Sequence, residues 1–449
     1  MTKKSISRLL QASLMCCLAV LFTACDDIFA SEDNPTPAYL SMSDKPVTIK
    51  AGDTYRRKAI SVTTAVVEYT SSDTKVATVN GEGLVTAKAE GITTITATAT
   101  GYSSQNGKKI YQPASVSYVV TVTPATVSAT SLTLNKTTEV LATNGDALTI
   151  TATATPAEAT LTWESSDANV ATVENGVVTP VGAGIATITA KSGDVKATCE
   201  VFVGNEVDLG ASAYEAKNYD IVKGNMGANQ LTIPAGYYVA FDGLTINGNN
   251  IACVGDATII LADGSTNTVT APSGLAGIQI GIAGTTLTIN AETAGTGTLT
   301  VQGGASAAGI GTNYPTSSAV TGGYIVINGG TVTATGGSFG AGIGTGRAPT
   351  SHSNTCGDIT INGGTVTATG GQYGAGIGTG LNTSSNTCGN ITIGTGVTKV
   401  TATKGEDSPN SIGIGYNFGG TQTCGTITIG GDATTYAGGV TVSPFIYEP

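Results

Sequence analysis

The 449 residues carry 20 Lys and Arg against 31 Asp and Glu, a net charge of −11, and only 11% of them are charged at all. An acidic chain with so few cations is poorly suited to neutralise a run of phosphates, which disfavours a nucleic-acid partner. Val, Ile and Thr alternate through most of its length, which excludes a disordered low-complexity tract and predicts an all-β protein with several cores.

At the start, Lys3, Lys4 and Arg8 precede an apolar run of nine residues, Leu14 to Phe22, followed by Thr23-Ala24-Cys25. Crossing a bilayer takes about 20 apolar residues, so residues 1–24 read as a cleaved signal peptide. Small residues before a cysteine resemble a lipobox, although Phe22 stands where an aliphatic residue is usual. The resemblance implies that Cys25 becomes an acylated first residue anchored in the membrane; plain secretory cleavage is the alternative. Asp26-Asp27 and Glu32-Asp33 resemble the surface-export signal of lipoproteins in some Gram-negative bacteria, which implies an outer-membrane anchor with the protein facing the cell exterior. Residues 1–24 hold three cations and no acid, so the mature charge is −11 − 3 = −14. Residues 25–38 are polar and proline-broken, as a stalk would be.

The next stretch is a duplication. Tyr69-Thr70-Ser71-Ser72-Asp73 with Val76-Ala77-Thr78-Val79 returns as Trp163-Glu164-Ser165-Ser166-Asp167 with Val170-Ala171-Thr172-Val173, and Gly83, Val85 and Gly91 return as Gly176, Val178 and Gly184. In each copy, short alternating strands separated by turns predict a β-sandwich. Trp163, the single tryptophan, and its counterpart Tyr69 read as core aromatics, and Asp73 and Asp167 as side chains bonded to their own turns. The two copies, residues 39–124 and 125–204, resemble the group-two bacterial immunoglobulin-like domain of intimin- and invasin-type surface proteins, which implies modules that space and present other domains.

Beyond Gly204 lie 50 of the 62 glycines, and long units repeat. Ile325-Val326-Ile327-Asn328-Gly329-Gly330-Thr331-Val332-Thr333-Ala334-Thr335 followed by Gly340-Ala341-Gly342-Ile343-Gly344 returns after 34 residues from Ile359 to Gly378. Degenerate copies at Leu244 to Asn247, Leu287 to Asn290, Ile391 to Gly394 and Ile427 to Gly430 make about six turns of a solenoid. Each unit offers three short strands with Ile359, Ile361, Val366, Ala368, Ala375 and Ile377 inward, and stacking at roughly 4.8 Å creates a core that no single unit can bury. Asn247, Asn290, Asn328 and Asn362 are expected to form an internal ladder, with Thr360, Thr392 and Thr428 outside. The pieces from Ala213 to Tyr238 and from Pro444 to Tyr447 are expected to cap the two ends. The array, residues 205–449, resembles the pectate-lyase-like right-handed parallel β-helices, in particular a carbohydrate-binding branch with similar Gly-Ile-Gly and Ile-Asn-Gly-Gly segments. The expected fold is thus two immunoglobulin-like sandwiches followed by a right-handed parallel β-helix.

Residues able to support catalysis are sparse. His352 is the only histidine, and the positions equivalent to Asp358 are Tyr324, Asn390 and Thr426, so neither a triad nor an acidic, calcium-holding column is expected. Glu406-Asp407 reads as a solvated turn, Arg347 has no basic neighbour, and Gly342-Ile343-Gly344-Thr345-Gly346 reads as a corner because its copy starts at Gly376. Cys356, Cys388 and Cys424 each precede a glycine at the same place in successive units and are expected to form a column of free thiols, with a disulfide as the lesser alternative. No metal, cofactor or catalytic residue is expected.

The aromatic remainder is Tyr314, Phe339, Tyr373, Tyr416 and Phe418, which fall near one turn of successive units. A row of rings could stack on sugar faces, or pack over glycine backbone. The reading is a surface-displayed, non-catalytic lipoprotein that binds glycan through its β-helix, with the immunoglobulin-like domains as spacers. The alternatives are an adhesin or structural surface protein recognising a protein partner, and a degenerate polysaccharide lyase.

Overall fold

The computed structural model describes residues 36–37, 40–61, 66–100, 111–431 and 439–449. The expected signal peptide, Cys25 and the expected stalk up to residue 35 lie outside the described residues. The described chain is all-β and divides into two compact units, one ending at Val127 and the other starting at Ser128.

The first unit is a sandwich. Val47–Lys50, Ala114–Thr123, Gly91–Ala99 and Val67–Ser71 lie side by side in one sheet, and Thr54–Arg56, Leu84–Ala87 and Ala77–Val79 in another. Alternation places Ile95, Ala97 and Ala99 in the core with no exposure, beside Val85, Tyr118 and Val120. Asp73 accepts a bond from the Lys75 amide at 2.8 Å, closing its own turn.

The second unit opens with a sandwich of the same topology. Thr138–Ala142, Val195–Asp208, Gly184–Ser192 and Thr162–Ser165 form one sheet, and Leu148–Thr149, Val177–Pro180 and Ala171–Glu174 the other. In both sandwiches the first strand runs parallel to the last. Equivalent glycines carry the same constraint: Gly83 and Gly176 take φ of +72° and +83°, and a side chain there would overlap the carbonyl of Arg57 or Ile150 and crowd the ring of Tyr69 or Trp163. Trp163 is half-buried against the core of Ile150, Ile188 and Val201.

The rest of the second unit is a parallel β-helix. One rung contains Ile359–Ile361 (the isoleucine side), Gly364–Thr369 (the threonine side), Ile377–Gly378 (the short side) and Asn386–Cys388 (the cysteine side). The first three are the expected strands. The fourth is a ladder of its own, Val320–Thr321, Asn354–Thr355, Asn386–Cys388 and Gln422–Cys424. Ile359, Ile361, Val366, Ala368, Ala375 and Ile377 are wholly buried, and Thr360, Thr392 and Thr428 stack in register on the outside. At Gly344 and Gly378 φ is +133° and +134°, and a Cβ would overlap the carbonyl of the next rung, so only glycine lets the short side stack.

One expectation about the ends is corrected. The helix begins within the stretch read as its N-terminal cap: Tyr214–Glu215 pairs in parallel with Leu231–Ile233, and Asp220–Asn225 with Tyr237–Asn247. What covers these first rungs is the second sandwich. Val195–Asp208 pairs within the sandwich and then, through Asn205 to Asp208, continues in parallel with Asp220–Asn225, so one sheet runs through both. The outward side chains Ile221, Ala240 and Ile260 are buried with Phe202, against Val140, Ala142, Ile185, Tyr219 and Tyr238. At the far end Phe445–Tyr447 closes the threonine side by pairing antiparallel with Val400 to Ala402.

The asparagine ladder is corrected as well. Asn328 donates to Asn290 at 2.8 Å and Asn362 to Asn328 at 2.9 Å, but Asn328 and Asn362 are exposed, so the ladder is external. Asn247 is not in it, because its strand pairs with Thr266–Thr270 on the threonine side. The residue above Asn290 is Ile260, preceded by Ala240 and Ile221. The column is therefore apolar where the sandwich covers it and amide where solvent begins.

Candidate functional site

The turn that joins the threonine side to the short side projects an aromatic residue in two successive rungs, Phe339 in Gly336-Gly337-Ser338-Phe339-Gly340 and Tyr373 in Gly370-Gly371-Gln372-Tyr373-Gly374, while Tyr314, Tyr416 and Phe418 come from the following turn, between the short side and the cysteine side. Their glycines follow from stacking, since a Cβ on Gly340 or Gly374 would overlap a carbonyl of the preceding rung. The rings of Phe339 and Tyr373 stack with centroids 5.5 Å apart and planes inclined by 12°. Tyr416 meets Tyr373 edge-on at 5.6 Å, and Phe418 meets Tyr416 edge-on at 4.9 Å. At the other end the Arg347 guanidinium lies 5.2 Å from the Phe339 ring and 5.8 Å from that of Tyr314. The five aromatic residues picked out in the sequence are thus brought into one continuous row, and Arg347, set aside there for want of basic neighbours, is the link that joins Tyr314 to it.

Backbone bonds across rungs hold the row. The Tyr314 amide donates to Gly274 at 2.9 Å, that of Arg347 to Ser306 at 2.7 Å, and that of Tyr416 to Tyr373 at 2.9 Å. Beneath the row runs a buried hydroxyl ladder that the sequence reading missed. Thr312, Thr345 and Thr379 accept the amides of Gly346, Gly380 and Gly415 from the following rung at 2.9, 3.2 and 2.9 Å. The repeated Gly-Ile-Gly-Thr-Gly was its signal. Tyr314, Phe339, Tyr373 and Tyr416 are half-buried and Phe418 is 66% exposed, so the row is seated at its base and open on its face. Among the described residues Arg347 makes no ion pair, and its buried Nε has no hydrogen-bond partner.

The groups considered for chemistry are dispersed. His352 Nδ1 lies 3.0 Å from the Thr350 carbonyl within its own turn. Asp358 accepts the Asn390 amide at 2.7 Å, and Asn390 in turn accepts that of Thr426 at 3.0 Å, so this column ties rungs together. Asp407 accepts from Gln372 at 2.8 Å. Among the described residues, no group of three or more His, Cys, Asp or Glu converges on a metal position. Cys356, Cys388 and Cys424 stand in successive rungs of the cysteine side as free thiols. The neighbouring Cys356 thiol and burial push that of Cys388 well above the ordinary range.

Residues 39–110 match the bacterial Ig-like domain (group 2) family, and residues 325–347 and 359–381 match the β-helix repeat family. No curated relative matches the chain. Among solved structures it is similar to Drosophila N-cadherin EC1-4, with 16% identity over 38% of this chain and 50% of that one at a TM-score of 0.20. It is also similar to surface layer protein SbsC, domains 1–6, with 18% identity over 38% of this chain and 28% of that one at a TM-score of 0.17. A third is mouse protocadherin-24 EC1-3, with 14% identity over 37% of this chain and 70% of that one at a TM-score of 0.19. The chain spans half the length of the first and less of the second. A bacterial Ig-like domain and β-helix repeats on one chain fit a cell-surface or adhesin-like protein.

Proposed function

We propose that this is a surface-displayed lipoprotein, anchored through acylated Cys25, that binds glycan without catalysis along the row Tyr314, Phe339, Tyr373, Tyr416 and Phe418. The observation that carries the reading is the row itself: rings from successive rungs, continuous and open to solvent, form a strip on which the apolar faces of consecutive sugars can lie. Residues 125–204 are read as a second group-two immunoglobulin-like domain, on the strength of the shared strand order and the matched glycines. No nucleic acid is expected at a surface with so few cations.

The test is titration of the intact mature chain with soluble plant, host and microbial polysaccharides, beside Tyr373→Ala. Saturable binding that the substitution weakens is expected. Equal binding by the variant, or none by either chain, refutes the reading. A second reading, an adhesin for a protein partner, draws on the same cluster, because aromatic residues beside an Arg are also what protein interfaces use as anchors. Cell binding that soluble glycans fail to compete would favour it. A degenerate polysaccharide lyase is tested by ultraviolet absorbance of unsaturated products.

A further inference from the structure

A second concave surface lies at a different corner of the helix, where the isoleucine side turns into the threonine side. It is a groove of about 460 Å³, bounded by Thr137 and Thr138 of the second sandwich and running along the turns at 290–295, 328–331 and 364–365. Its first wall is the asparagine ladder. Each link of the ladder uses one of the two amide hydrogens and one of the two carbonyl lone pairs, so Asn328 still offers one donor and one acceptor to the groove. The second wall carries the hydroxyls of Thr331 and Thr365, which lie in register on adjacent rungs. The floor is bare backbone at Gly330 and Gly364, where φ is +79° and +77° and a side chain at Gly364 would overlap the Gly330 carbonyl.

The groove has no free charge. Glu292 lines it, but one carboxylate oxygen accepts the Val140 amide at 2.6 Å and the other the Asp263 amide at 2.5 Å. Lys399, in register with Thr365 on the next rung, is paired with Glu448, so an anionic ligand would meet the Glu292 carboxylate and no free cation among the lining residues, and an apolar ligand would leave amides and hydroxyls without partners. A row of paired donors and acceptors repeated at roughly 4.8 Å suits a ligand with neighbouring hydroxyls repeated along a chain. Four rungs, the last contributing Thr398, limit it to a few sugars, and the sandwich closes one end.

We propose that this groove is a second glycan site, taking a short uncharged oligosaccharide whose end abuts Thr137 and Thr138. The class of ligand rests on the glycan-binding reading; the place does not depend on the aromatic row.

To test it, the intact mature chain is labelled with ¹³C at its threonine methyls and titrated with neutral tetrasaccharides of the cello-, xylo-, manno- and malto- series. Shifts at Thr138, Thr331 and Thr365 that persist in Tyr373→Ala are expected. Thr365→Tyr, a β-compatible residue on the outer face, fills the groove without touching the core and is expected to weaken this binding by roughly tenfold or more. The proposal is overturned if no neutral tetrasaccharide moves those methyls, if Tyr373→Ala abolishes the shifts, or if Thr365→Tyr binds as the parent does. The second outcome leaves the aromatic-row reading standing, so the two failures are separable.

Discussion

Phe202→Ala tests whether the second sandwich is a spacer or part of the β-helix. Phe202 is 1% exposed, packs on Ile221, Ala240 and Ile260 of the first rungs, and meets the Tyr219 ring edge-on at 5.8 Å. Truncating a buried Phe costs about 3–5 kcal/mol when the surroundings cannot collapse, and here both faces of the cavity are sheets fixed by hydrogen bonds. A body of this size has a guanidinium m-value of about 6 kcal/mol/M or more, so the midpoint should fall by about 0.5–0.8 M. Trp163, the only tryptophan, reports the sandwich by fluorescence, while far-ultraviolet circular dichroism is weighted toward the helix. The two signals should coincide in the parent and move together in the variant. A tryptophan transition that shifts while the dichroism transition stays in place would refute the argument, because the sandwich would then unfold on its own.

At the aromatic row, Tyr373→Ala removes one ring stack and one edge contact and should lower glycan affinity by 0.5–1.5 kcal/mol, about 2- to 13-fold, with thermal stability nearly unchanged; titration calorimetry and a melting curve read both. Asn328→Ala breaks both ladder bonds and should destabilise the chain by about 1–3 kcal/mol in denaturant titration, while Asn247→Ala, outside the ladder, should have little effect. Burial raises the Glu292 carboxyl against the opposing pull of the Asp263 and Val140 amides. A raised carboxyl favours folding at acid pH, so stability relative to Glu292→Gln should fall as pH rises from the ordinary glutamate value through the raised one; a flat difference would contradict the sign. Burial pushes the Cys253 thiol up to about 12, and Cys388 is raised as well, so iodoacetamide at neutral pH should leave both unmodified until the chain unfolds, as intact mass would record.

The parts of the fold legible in the sequence are those whose residues answer to a neighbour of the same kind. The 34-residue offset between Ile359 and Ile325 is legible because an inward isoleucine is buried by the isoleucine of the adjacent rung, so the same choice recurs. The first rungs answer to a different neighbour. Ile221, Ala240 and Ile260 face the sandwich, and an apolar residue at an outward position looks like the end of the pattern when the covering domain is unknown. The same cause misplaced Asn247: Leu244 to Asn247 copies Leu287 to Asn290 letter by letter, but only strand pairing reveals which side of the rung it occupies.

The row of rings was legible for a similar reason, and its continuity was not. Phe339 and Tyr373 share a corner in exact repeats, but Tyr314, Tyr416 and Phe418 sit in turns of irregular length, and whether they reach the row depends on where the backbone bonds pin those turns. Arg347 shows the limit most plainly. Among residues of its own charge it has no partner, which made it look idle, and only its approach to two rings gives it a place. That contact bears on recognition: a guanidinium held over aromatic faces, with no ion-pair partner among the described residues, keeps a planar set of donors in line with the rings, so the Tyr314–Phe339 end of the row can take a hydrogen bond where the other end, at exposed Phe418, offers only an apolar face. A ligand lying along the row would therefore meet unlike ends, and Arg347→Leu should weaken binding without weakening the chain, since the substitution removes donors and leaves the stacked rings in place; an unchanged affinity would mean that ligand engages the rings alone.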